Sequence, residues 1–200
     1  VKPNLIITVP LVIEKIYKNV IQPLINKRSM KWALNIPLLD NQIYAQIRKK
    51  LIDALGGRFK EVIIGGAAMN PEVTDFFHKI KFPFTIGYGM TECAPLISYA
   101  PWNEFIPGSA GKILDIMKVR IDSDDPYNIT GGTIDANGFI YIRGRSKTMI
   151  LSSNGQNIFP EEIESKLNNM PFVLESLIIE RNKKLVALVY PDYESLDSLG

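Results

Sequence analysis

Two short apolar runs, each followed at once by a glycine turn, constrain this chain most. Val62-Ile63-Ile64 leads into Gly65-Gly66-Ala67-Ala68, and Phe84-Thr85-Ile86 leads into Gly87-Tyr88-Gly89-Met90-Thr91-Glu92. Short apolar runs bounded by turn residues read as buried strands. Between them, Asn70-Pro71-Glu72 supplies an N-cap, a first-position proline and a first-turn acid. The helix this opens carries Val73, Phe76, Phe77 and Ile80. Strand 61–65, helix, strand 84–88 predicts a parallel pair with a right-handed crossover, and hence an α/β fold. In open α/β sheets, ligands sit at the carboxyl ends of strands, where glycines let the backbone come close. The second turn places a hydroxyl beside a carboxylate there. Thr91 can hydrogen-bond a phosphate oxygen, Glu92 can hold a Mg²⁺ that bridges phosphates, and Tyr88 offers an aromatic face to a base. Together these residues predict a nucleotide site.

Upstream, Ile13, Ile16, Tyr17, Val20, Ile21 and Leu24 recur at helical spacing, with Lys15, Lys18 and Asn19 on the other face. A second helix carries Ile43, Ile47, Leu51 and Leu55 and stops at Gly56-Gly57. Lys27-Arg28-Ser29-Met30-Lys31-Trp32 is open to two readings. One is a basic membrane-surface patch; the simpler is a solvated helix end with one packed Trp.

Downstream, Ile97-Ser98-Tyr99 and Met117 to Ile121 read as strands, and Asp122 to Asn128 as an acidic turn. Asp135-Ala136-Asn137-Gly138 is a turn signal before the alternating strand Phe139 to Arg143. Thr148 to Leu151 is a further strand, and Ser152 to Asn157 a polar loop. Pro160-Glu161-Glu162 opens a helix with Ile163 and Leu167 inward, and strands near 175–180 and 184–190 follow. The stretch Arg143-Gly144-Arg145-Ser146-Lys147 reads either as an exposed turn or as a hinge, and a boundary falls near residue 145.

With 23 basic and 21 acidic residues, the net charge of +2 gives no argument for a nucleic-acid partner. The single cysteine, Cys93, excludes an internal disulfide, fits a reducing compartment, and reads as a buried small hydrophobe. The single histidine, His78, reads as a surface residue and cannot by itself build a zinc site. No apolar run approaches the ~20 residues of a membrane span. Val1-Lys2-Pro3-Asn4 lacks the shape of a signal peptide and reads as the middle of a longer protein. These features point to a cytoplasmic location.

Five segments in order carry a family resemblance. They are Gly65 to Ala68, Gly87 to Glu92, Gly108-Ser109-Ala110-Gly111, Gly144 to Lys147, and Asn154-Gly155-Gln156-Asn157-Ile158-Phe159-Pro160-Glu161-Glu162-Ile163-Glu164. The chain resembles the AMP-forming acyl-CoA synthetases over nearly its whole length. Its segment Val9 to Tyr17 is similar to the bacterial long-chain fatty-acid–CoA ligases.

The resemblance implies part of a large adenylate-forming domain, a mixed sheet with flanking helices, over residues 1–145. Residues 146–200 would begin a small, mobile α+β C-terminal domain. It also implies a reaction. A fatty acid and Mg-ATP give an acyl-adenylate and pyrophosphate, and coenzyme A then takes the acyl group and releases AMP. Gly66, Ala67 and Ala68 would line the adenine pocket. Tyr88 would stack on adenine, flanked by Gly87, Gly89 and Met90. Thr91 would touch the AMP phosphate, Glu92 would hold Mg²⁺, Arg145 would contact the ribose, and Lys147 would be the hinge. The loop around Gly155 would approach the coenzyme A thiol arm. The acyl chain would pass between residues 65–68 and 86–90. A lipid substrate also suggests weak peripheral membrane contact.

Three family parts are missing. The phosphate loop would precede residue 1, and a catalytic lysine would lie beyond Gly200. The segment ending in Thr-Gly-Asp, whose Asp grips the ribose, is absent, and Gly132 of Thr130-Gly131-Gly132 stands in the place of that Asp. The sequence therefore reads as a piece of a ligase that is inactive alone. A degenerate AMP-binding module, or an enzyme loading acyl carrier protein, is the alternative. No Asp near 65–68 or 86–92 is placed to receive an amino-acid ammonium, which favours an apolar acid.

Overall fold

The computed structural model describes residues 2–36, 39–121, 132–144, 148–151 and 157–197. It forms two compact units, Val1–Arg120 with Ile134–Tyr141, and Ile121–Thr133 with Ile142–Gly200.

The first unit is built on a three-stranded parallel sheet, β1 (Leu5–Thr8), β2 (Glu61–Ile64) and β3 (Phe84–Ile86), in the order β1-β2-β3. Ile6 pairs with Val62, and Val62 with Phe84. After β1 the chain turns into α1 (Pro10–Ile16), a π-helical turn at Tyr17–Ile21, and α2 (Gln22–Ile25). The wide turn keeps Ile13, Tyr17 and Ile21, spaced by four, on the buried face. Val20 and Leu24, expected on that face, are instead exposed.

Next come α3 (Arg28–Leu34) and α4 (Leu39–Ala54). Trp32 is 70% exposed, so the expected packed Trp is not found. The C-terminus of α4 closes as the glycine pair predicts. Gly57 N–H donates to Ile52 O and Gly56 N–H to Asp53 O, with both glycines at positive φ.

Between β2 and β3 runs α5 (Pro71–Lys79), with Val73, Thr74 and Phe77 buried. The ring of Phe77 packs on Phe82 and Phe84, with centroids 5.2 and 6.0 Å away, and Phe84 packs on Phe105 at 5.1 Å. Burying an aromatic of this size contributes about 1.5–3 kcal/mol.

The single strand expected over 84–88 is broken at Gly87. Beyond it, β4 (Tyr88–Gly89) pairs antiparallel with β5 (Leu96–Ser98). The segment 117–121 is not a strand; no sheet of the described residues includes it. A two-stranded hairpin of β6 (Gly132–Ile134) and β7 (Ile140–Ile142) follows. Its turn is held by Asp135 Oδ1, which accepts from the N–H groups of Asn137 and Phe139, both at 2.9 Å.

In the second unit, β8 (Ile150–Leu151) pairs antiparallel with β9 (Asn157–Ile158). Helix α6 (Pro160–Asn168) packs on a long hairpin of β10 (Val173–Arg181) and β11 (Lys184–Pro191), and α7 (Tyr193–Asp197) follows. Hydrogen bonds stitch α6 to β10, among them Ile178 N–H to Glu164 Oε1, 2.7 Å, and Ser176 Oγ to Asn168 Oδ1, 2.8 Å.

Candidate nucleotide site

The two glycine turns lie side by side, because β2 and β3 are adjacent and parallel. Gly65 N–H donates to Thr8 O at 3.1 Å, and Gly87 N–H to Ile64 O at 2.9 Å, so each turn begins as a continuation of the sheet. A Cβ on Gly65 would come within 3.2 Å of Gly87 O. The turn then leaves the sheet at Gly66, whose φ of +89° suits glycine, and Gly66, Ala67 and Ala68 are exposed. At its end Asn70 is buried. Its Oδ1 accepts from Glu72 N–H at 2.9 Å, and its own N–H donates to Glu14 Oε1 on α1 at 2.8 Å. Burial pushes the Glu14 carboxyl above its ordinary range, against the opposing effect of the Asn70 N–H. One residue pair further on, Tyr17 Oη donates to Glu72 Oε1 at 3.1 Å.

The second turn is a hairpin. Tyr88 pairs with Ser98 and Gly89 with Leu96, and Met90 N–H donates to Pro95 O at 2.8 Å. Its tip is a 3₁₀ turn at Thr91–Cys93, closed by Ala94 in the left-handed region at φ 58°. Thr91 and Glu92 are exposed there, while Tyr88 is half-buried. Cys93 is also half-buried, not the fully buried hydrophobe expected, because the tip has no core beneath it.

The third glycine segment braces this hairpin from behind. Gly111, at φ +88°, lies so close that a Cβ would meet Tyr99 Cα at 2.8 Å and Ile86 O at 3.1 Å. Ser98 Oγ donates to Ala110 O at 2.6 Å, and Thr85 Oγ1 to Ala100 O at 2.6 Å. These hydroxyls sit in a buried region with their bonds made. At the opposite end of β2, Tyr99 Oη donates to Glu61 Oε1, and Trp102 N–H to Glu61 Oε2 at 3.2 Å. Burial first, then the bond to Glu61 and its charge, raise the Tyr99 hydroxyl to about 12.

The structure thus brings Gly66, Ala67, Ala68, Gly87, Tyr88, Gly89, Met90, Thr91 and Glu92 to one end of the sheet. Arg145, Lys147 and Gly155 lie outside the described residues. His78 is exposed, as expected. No group of three or more metal-ligating side chains occurs among the described residues. A Mg²⁺ bound through one carboxylate and phosphate oxygens needs no such group, and the exposed Glu92 fits that mode. No helix of the described residues is long and apolar enough to cross a membrane. The anchors of the first turn, Thr8 and Glu14, were not foreseen; Glu14 is 56 residues from Asn70, and no local pattern links them.

A family model described as "AMP-binding enzyme" matches residues 1–150. Two curated relatives are named long-chain-fatty-acid–CoA ligases. FadD15 of Mycobacterium bovis is 22% identical over 249 residues, covering 98% of this chain and 41% of that protein. Ligase 1 of Schizosaccharomyces pombe is 26% identical over 222 residues, covering 99% and 32%. The chain therefore spans well under half of the curated relatives it matches. The FadD15 match runs to 249 positions, and 98% of a 200-residue chain supplies fewer than 200 of them, so about fifty positions of that relative have no counterpart here.

Among solved structures, o-succinylbenzoate CoA synthetase (MenE) from Bacillus subtilis shares the fold. In complex with the acyl-adenylate intermediate OSB-AMP it gives a TM-score of 0.58 at 20% identity, covering 94% of this chain and 41% of that one. In complex with ATP and a magnesium ion it gives 0.57 at 21%, with the same coverage. A family match over three quarters of the residues, together with a shared mixed α/β fold, leads to one conclusion: the chain belongs to the AMP-binding family of adenylate-forming enzymes.

Proposed function

We propose that this chain is part of a long-chain fatty-acid–CoA ligase, an AMP-forming acid–thiol ligase. The observation that carries the reading is the pairing of two glycine turns at the carboxyl ends of β2 and β3, with Thr91 and Glu92 exposed on the second. Gly66, Ala67 and Ala68 present backbone to adenine, and Tyr88 its ring. Gly89 and Met90 form the wall beside it, and Thr91 donates to the AMP phosphate. Glu92 holds Mg²⁺, which neutralises phosphate charge when bound. Arg145 contacts the ribose, Lys147 is the hinge, and Gly155 approaches coenzyme A. Residues 1–145 belong to the large domain and 146–200 to the small one. The names of the curated relatives favour a fatty acid as substrate; the MenE likeness keeps other carboxylic acids in view.

A second reading has its own support. About fifty positions of FadD15 are unmatched, and Gly132 stands where the family's ribose-binding Asp is expected, as in a non-catalytic AMP-binding module. Two assays on this chain test the nucleotide site and the inactivity of the chain alone: AMP binding by calorimetry, and palmitate-dependent exchange of pyrophosphate into ATP. We expect binding without exchange. Exchange at the rate of an intact ligase would overturn the expectation that the isolated chain is inactive, and absence of any AMP or ATP binding would overturn the nucleotide site.

A further inference from the structure

The turn from Gly65 to Asn70 is held at Gly65 and at its far end, where Met69 and Asn70 are buried. Gly65 N–H is held by Thr8 O, and Asn70 N–H by Glu14 Oε1. Thr8 ends β1 and Glu14 lies in α1, so both anchors hang on one strand-to-helix corner. Gly66, Ala67 and Ala68 stand exposed between the anchors. The Tyr17–Glu72 bond is a parallel strut, one turn along, from the π-helical segment to the first turn of α5.

Asn70 is the N-cap of α5, and its Oδ1 accepts from Glu72 N–H. Glu14 accepts from the N–H of that cap, the bond that a third-position acid makes within a capping box; Val73 holds that position here, so the acceptor comes from α1 and ties it to the last residue of the turn. Burying a carboxylate is unfavourable, and its raised pKa records that. A neutral acceptor there would be easier to bury, yet the chain carries an ionisable one.

We propose that Glu14 is a positioning residue for the nucleotide: its carboxylate, bonded to Asn70 N–H, sets the height at which Gly66–Ala68 meet adenine. This rests on the nucleotide-site reading above. It assigns a role to the Val9–Tyr17 segment, whose Val9 also lies beside Gly66.

The test compares Glu14→Ala and Glu14→Gln with the native chain. Glutamine keeps an acceptor oxygen at the same reach; alanine removes it. Amide exchange is followed residue by residue at one fixed pH, and AMP affinity by calorimetry. In the alanine variant, the amide of Asn70 exchanges about tenfold faster while those inside β2 and the middle of α5 do not change. Its AMP Kd rises by a similar factor with an unchanged cooperative melt, and glutamine restores both. Equal exchange in all three proteins overturns the proposal, as does native AMP affinity in the alanine variant. A native chain that takes up no AMP overturns the nucleotide reading instead. Glu14 is then judged by exchange alone, and uniform loosening of the whole sheet would reduce it to a structural residue.

Discussion

At Gly89 a side chain has nowhere to go. A Cβ there would lie 2.0 Å from Pro95 O and 2.9 Å from Pro95 C, both backbone atoms of the residue that leads into the facing strand. Gly89→Ala therefore splays the hairpin that carries Thr91 and Glu92. The expected result is a loss of about 1–3 kcal/mol in urea unfolding and weakened AMP binding; native stability would show that the hairpin tip simply yields. Tyr99 makes a residue-scale prediction of another kind. Its hydroxyl has an ordinary value of 10.0 and is raised to about 12 in the fold. The folded state thus keeps its proton where the unfolded chain loses it. The stabilisation is full below pH 10 and disappears as pH climbs from 10 to 12. Tyr99→Phe should show a shallower fall between urea melts at pH 9 and pH 11.5. Equal slopes in both proteins would remove Tyr99 from the account.

Elements differ in how far they can be read from sequence. The start of α5 was legible because Asn70, Pro71 and Glu72 each act within one turn, and Asn70 Oδ1 does accept from Glu72 N–H. Asn70→Ala should cost about 1 kcal/mol of stability, measured by thermal unfolding; no loss would mean that Thr74, whose hydroxyl donates to Asn70 O, holds the turn unaided. The break at Gly87 was not legible. Residues 84, 85, 86 and 88 are good strand formers around a glycine that is not, and the break there is completed by a change of partner, from β2 on one side to β5 on the other. The reverse holds for 117–121, where alternation was present but no ladder forms among the described residues. A strand is a property of a pair, and one half of the pair is always elsewhere in the chain.

At the scale of the molecule, the glycine segments marked the end of the sheet where strands and turns crowd together, because glycine is required where backbones touch. Gly65 against Gly87, and Gly111 against Tyr99 and Ile86, are such contacts. The supports behind the turns were hidden because they are made by ordinary residues. Nothing about Glu14 or Thr8 distinguishes them until β1 is laid beside β2.

That placement of β1 has a colloidal consequence. The strand ends the row β1-β2-β3, so one side of its backbone has no sheet neighbour among the described residues. Along it Leu5 is 47% and Ile7 76% exposed. An apolar open edge is a template on which a second chain can extend the sheet. The isolated polypeptide should therefore grow larger with concentration in light scattering, and Ile7→Lys should hold it monomeric by placing a charge that a docking strand would have to bury. A chain that stays monomeric without the lysine would mean the edge is already covered, and the same solution would then be the place to look for what covers it.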